Sequence, residues 1–152
     1  MIKKKPTFEQ SINAAMIWCK AWEAGNLSDE VLADRIGELI ATKEGARGFF
    51  AISLSSDCPL MDRLPDPVIF QLRNLGESIV ELTVKNLAMS SAMTLQHERK
   101  NNSEHLFGSK RVTRRCIELL KLLETNSVKK HLESLLSGTM GEGNYAEFLN
   151  RW

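Results

Sequence analysis

Five side chains that can donate or accept hydrogen bonds stand at helical spacing in the middle of this chain: Thr83, Asn86, Ser90, Thr94 and His97. Steps of three and four place them on one side of a helix. Such a stripe on an otherwise apolar helix has two uses. It can line a polar groove for a ligand, with Asn86, Ser90, Thr94 and His97 as the groups that touch it. Or it can spend its hydrogens on its own helix and on neighbouring ones, because an unsatisfied buried polar group costs roughly 1–3 kcal/mol. Ala88, Ser91 and Ala92 fit close helix approach better than chemistry.

A second candidate follows at once. Between His97 and Arg115 the chain carries Arg99, Lys100, Lys110, Arg111, Arg114 and Arg115 against Glu98 and Glu104, an excess of four positive charges in a protein of net charge +1. Ser109 reads as a helix cap, with Leu106-Phe107 as a turn of helix before Gly108. Arg111, Arg114 and Arg115 then lie just past a helix start, where backbone N–H groups favour an anion. Arg99, Lys110, Arg111, Arg114 and Arg115 are therefore the candidate set for docking phosphate, nucleic acid or an acidic protein; the bland reading is a solvated basic face. Phe107 is the one flanking aromatic, which is thin support for stacking single-stranded bases.

The remaining chemistry-bearing residues form no motif. His97, Glu98, His105 and His131 match neither Glu-x-x-His nor His-Glu-x-x-His spacing, so no metal is expected. Gly138-Thr139-Met140-Gly141-Glu142-Gly143 follows a helix and lacks a Lys-Ser/Thr ending, which reads as a hinge rather than a phosphate loop. Arg47 can pair with Asp57, Asp62 or Asp66, or face water. Cys19, Cys58 and Cys116 are odd in number and far apart, as reduced thiols of a cytosolic protein would be. No catalytic residue and no cofactor is implied.

The elements that must position these groups read as helices. Thr7 and Gln10 form a capping box for a helix to about Ala24, stopped by Gly25. Ser28 caps a second, ended by Lys43-Glu44-Gly45. Residues 45–54 form a short buried helix, and a Pro-rich loop follows. Asp66 caps a fourth helix with Pro67 at its first position. From Ile79 to Leu95 the only charges are Glu81 and Lys85. A helix apolar nearly all round is buried, so 77–99 is expected to be a central pillar, with Leu87 and Met93 inside it. A sixth helix starts at Ser109, a seventh at Asn126 or Ser127, and a short last one carries Tyr145, Phe148, Leu149 and Trp152.

The expectation is an all-α single domain over 1–152, with 7–8 helices around the central helix, as a bundle or a short stack of helical pairs. Residues 1–6 form a flexible basic N-terminus and 138–143 a hinge. At 152 residues, 43% hydrophobic and 26% charged, the chain can bury a core without disulfides. It has no apolar run of the roughly 20 residues a membrane span needs, and no signal-peptide pattern. The run Gly45-Ala46-Arg47-Gly48-Phe49-Phe50, the stretch Val84 to Arg99 and the ending Asn150-Arg151-Trp152 resemble small uncharacterised helical proteins of cyanobacteria. That resemblance implies a bacterial cytoplasmic setting and no activity. The function expected is non-enzymatic: an interaction or regulatory protein that docks a protein partner, with the aromatic tail or the pillar's neighbours in a possible homodimer. A nucleic-acid or phosphate-binding module using 99–115 is the first alternative. An enzyme or small-ligand binder with a pocket along Asn86, Ser90, Thr94 and His97 is the second.

Overall fold

The computed structural model describes residues 4–139. All regular structure there is helical: α1 (Phe8–Glu23), α2 (Asp29–Ile40), α3 (Lys43–Ser55), a 3-10 turn (Pro59–Asp62), α4 (Asp66–Asn74), α5 (Glu77–Arg99), α6 (Ser103–Leu122) and α7 (Thr125–Thr139). The all-α, multi-helix expectation holds. Contacts divide the chain into two compact units between Leu75 and Gly76.

In the first unit, α1 packs on α3, and α2 packs on α3 and α4. The capping box is present: Gln10 N donates to Thr7 Oγ1 at 3.1 Å and Thr7 N to Gln10 Oε1 at 3.0 Å. Gly25 takes φ +80°, the left-handed conformation that ends α1. Ser28 Oγ accepts from Val31 N, as the sequence implied. The end of α2 differs. Lys43-Glu44-Gly45 opens α3 instead, because Thr42 Oγ1 accepts from Gly45 N at 3.1 Å and makes Thr42 a cap. Gly48 marks the α1–α3 crossing: a Cβ there would collide with Ser11 Cβ and lie 3.0 Å from Ile12 N. Around these approaches Leu32, Ile36, Phe49, Phe50, Leu54, Leu60, Val68 and Leu72 are fully buried. Arg47 stays at the surface, paired with Glu44 at 3.1 Å and placed over the Phe8 ring.

In the second unit, α5 packs on α6 and α7. The bounds of α5 agree with the expected pillar, but its burial does not. Ile79, Val80, Thr83 and Val84 are buried, whereas Leu87 and Met93 are only half-buried and Ser91, Ala92 and Leu95 are exposed. Two neighbouring helices of this unit cannot cover every side of a third, so the far half of α5 keeps a face to water.

The start of α6 is also corrected. Asn102 caps it, with Oδ1 accepting from His105 N, so Leu106, Phe107 and Gly108 lie inside the helix. Ser109 is mid-helix and buried, and its hydroxyl donates to His105 O at 2.7 Å. Asn101, at φ 54°, carries the chain through the turn between α5 and α6. The Glu124 carboxylate accepts from Asn126 N and Ser127 N and opens α7. Gly138 and Thr139, expected at a hinge, belong to α7. Residues 140–143 of that hinge, the final aromatic helix and the dimer contact assigned to it lie outside the described residues.

Candidate functional site

The polar stripe of α5 is built into helix pairing. Thr83 Oγ1 donates to Ile79 O at 2.7 Å, Asn86 Nδ2 to Leu82 O at 2.9 Å, and Thr94 Oγ1 to Ser90 O at 2.8 Å. Ser90 is buried and donates to Leu87 O at 3.2 Å. Across the helix pair, Thr113 Oγ1 bridges Ser90 Oγ at 2.8 Å and Ser109 O at 2.9 Å. At the turn, the His97 and His105 rings meet edge to face at 5.3 Å. Asn86, Ser90 and His97 therefore hold α5 to itself or to the α6 end of the hairpin. Hydroxyls placed this way satisfy each other and fix the register of two helices.

The basic set divides. Arg115 is 2% exposed and shares its side of α6 with the core. Arg99, Lys110 and Arg114 are exposed, and Arg111 is half-buried with its guanidinium over the Phe107 ring at 5.7 Å. The helix start is at Ser103, so the three arginines do not sit beside its free N–H groups. A three-arginine cradle at a helix terminus is thus not what the chain forms.

The structure instead brings one member of the stripe and two of the basic set to one place. Ser91 and Thr94 of α5 and Lys110, Thr113, Arg114, Ile117 and Glu118 of α6 line an open groove of about 390 Å³. Small side chains let the helices approach and leave a shallow floor. Lys110 and Arg114 put positive charge on its wall, and Ile117 gives it an apolar patch, 41% exposed. Leu95, one turn after Ser91, and Phe107, on the α6 face that carries Arg114, are 49% and 68% exposed. Two acids are close by: Glu98 lies 3.9 Å from Lys110, and Glu118 pairs with Lys121 at 3.2 Å. Exposed ion pairs of this kind are worth little and exchange readily with an incoming carboxylate. Reading the sequence by residue class missed Ser91, Thr113, Ile117 and Glu118. The available signal was Ile117, an apolar residue on the otherwise charged face formed by Lys110, Arg114, Glu118 and Lys121.

A larger groove, about 660 Å³, lies in the first unit and is lined by Met16, Cys19, Lys20, Glu23, Ile52 and Cys58 among others. Cys58 Sγ donates to the backbone O of Cys19 at 3.9 Å. Cys116, in the second unit, is fully buried, and burial pushes its thiol up to about 12. Among the described residues no group of three His, Cys, Asp or Glu could hold a metal ion, and no helix is long and apolar enough to cross a membrane. No curated protein and no solved structure matches the chain. Residues 7–152 match the family of the uncharacterised conserved protein UCP020893, and the chain belongs to that family.

Proposed function

We propose that this is a non-enzymatic docking protein of the bacterial cytoplasm, whose α5–α6 face receives an acidic, amphipathic segment of a partner protein. One observation carries the reading: Ile117 is exposed in a groove whose cations are Lys110 and Arg114, with Leu95 and Phe107 exposed nearby. Apolar side chains held out in water beside positive charge suit a ligand that brings both apolar anchors and carboxylates. The groove is open and its Thr94 and Thr113 hydroxyls are engaged with carbonyls, which favours surface contact over turnover of a small substrate.

The test is site-specific crosslinking in the full chain. A photoreactive residue replaces Ile117, and a control replaces exposed Asp34 on α2. We expect a protein adduct at position 117, absent at 34, and lost when Lys110→Glu and Arg114→Glu are added without a change in the unfolding midpoint. An adduct unaffected by those charge reversals overturns the acidic-partner reading. A nucleic-acid adduct supports the anion-binding alternative, and self-crosslinking supports the homodimer.

A further inference from the structure

We propose that Cys19 and Cys58 form a redox-active dithiol that closes to an intramolecular disulfide when a low-molecular-weight disulfide reaches the first unit's groove. Three observations support it. The two residues are 39 positions apart in sequence, yet Cys58 Sγ rests against the carbonyl of Cys19 at 3.9 Å. Both line the same open groove of about 660 Å³, where Cys19 is 4% and Cys58 8% exposed, so each sits just beneath its floor. And their places in the fold differ: Cys19 is set in α1, while Cys58 sits between α3 and the 3-10 turn, outside any α-helix. Closing the bond brings the two sulfurs to about 2 Å with the Cα atoms within about 7 Å of each other.

Lys20, Glu23 and Asp57 line the same groove. The chemistry balances in two exchanges. One protein thiolate attacks a sulfur of oxidised glutathione, forming a mixed disulfide and releasing one glutathione thiolate. The second protein thiolate attacks the protein sulfur of that mixed disulfide, forming the Cys19–Cys58 bond and releasing the second glutathione. Two electrons pass to the glutathione, and the protein's two thiol protons end on the released thiols. Disulfides of cytosolic proteins are commonly of this transient, sensing kind. Cys116 supplies an internal control, since its burial leaves almost no thiolate at neutral pH.

The test uses the full chain in glutathione buffers stepped from reducing to oxidising, with acid quench, alkylation, intact mass and peptide mapping. The expected product is lighter by two hydrogens, with a Cys19–Cys58 cross-link and Cys116 alkylated. Cys116→Ser should close normally. Cys19→Ser and Cys58→Ser should each abolish the two-hydrogen loss and leave a single glutathione adduct on the surviving partner. Since the wild-type measurement needs no variant to fold, the result is decisive by itself. Three free thiols under the most oxidising buffer, a cross-link that includes Cys116, or separate glutathione adducts on Cys19 and Cys58 would overturn the proposal.

Discussion

Up to Leu75, helices approach through glycine and close over large apolar side chains; from Gly76 onward, they approach through hydroxyls. In the first unit Gly48 sits against Ser11, and Phe49, Phe50, Leu32 and Leu72 fill the space with almost no exposure. In the second, Ser90, Ser109 and Thr113 meet between α5 and α6, and the fully buried large side chains include Ile79, Val80, Val84 and Leu119. Glycine contacts depend on the absence of atoms, so their tolerance is low in one direction only. Hydroxyl contacts depend on partners, so they fix register at a modest energy. The second unit also carries Leu95, Phe107 and Ile117 at the surface near cations, which is where a partner has something to gain.

The contrast can be broken most sharply at Phe49. Phe49→Ala should cost about 3–5 kcal/mol in a denaturant melt, with amide protection lost first in α1–α3. A loss under about 1 kcal/mol would mean the first unit is not held by this core. A paired glycine test sharpens the comparison. Gly48→Ala forces a Cβ into the α1 backbone and should destabilise by about 1–3 kcal/mol. Gly108→Ala, in α6 with nothing within 4 Å of the added Cβ, should stabilise by about 0.5–1 kcal/mol. Equal signs for the two glycines would end the distinction. Thr113→Val keeps the shape but removes the bridge to Ser90 and Ser109. About 1 kcal/mol is the expected loss, read by chemical denaturation together with faster hydrogen exchange in α5 and α6.

The smallest effect lies at Glu124. Backbone hydrogen bonds from Asn126 and then Ser127 hold its carboxyl below the ordinary value of 4.5. A carboxylate depressed in the folded state stabilises it above the unfolded value, and that contribution fades as pH falls through the folded value. The Asn126 and Ser127 amides should therefore lose protection, measured against their intrinsic exchange rates, as pH falls below 4.5 and through the lowered folded value. Glu124→Gln should remove the pH dependence. An unchanged titration of those amides in the variant would show that the carboxylate is not the cap.

Local signals carried most of the fold into the sequence. Thr7 with Gln10, and Ser28 before Asp29, are read correctly because a cap is decided by residues three positions apart. Ser109 after Gly108 imitates the same signal and misleads, because a glycine with open space around it interrupts nothing. Composition overstates the burial of α5, since it counts apolar residues but not neighbours, and Leu87, Met93 and Leu95 lack enough of them. The candidate site was half legible. The excess of cations between residues 97 and 115 is visible in the chain, but their sorting depends on register. Only once α6 starts at Ser103 does Arg115 turn inward beside Cys116 and Leu119, leaving Lys110 and Arg114 on the outer face. The nearness of Cys19 and Cys58 has no local signature at all, because tertiary packing alone brings α1 to the link after α3.

The tight turn at Asn101 and Asn102 has a kinetic meaning. Its cap and left-handed residue close the connection between two long helices. The pairings that follow are near in sequence, from the His97–His105 ring contact to the Ser90–Thr113 bridge 23 residues apart. Contacts closed over short loops lose little chain entropy and form early. The α5–α6 hairpin should then zip outward from its turn during refolding and reach native amide protection ahead of the α1–α3 crossing, whose meeting of Gly48 with Ser11 must wait for α2 to be laid down between them.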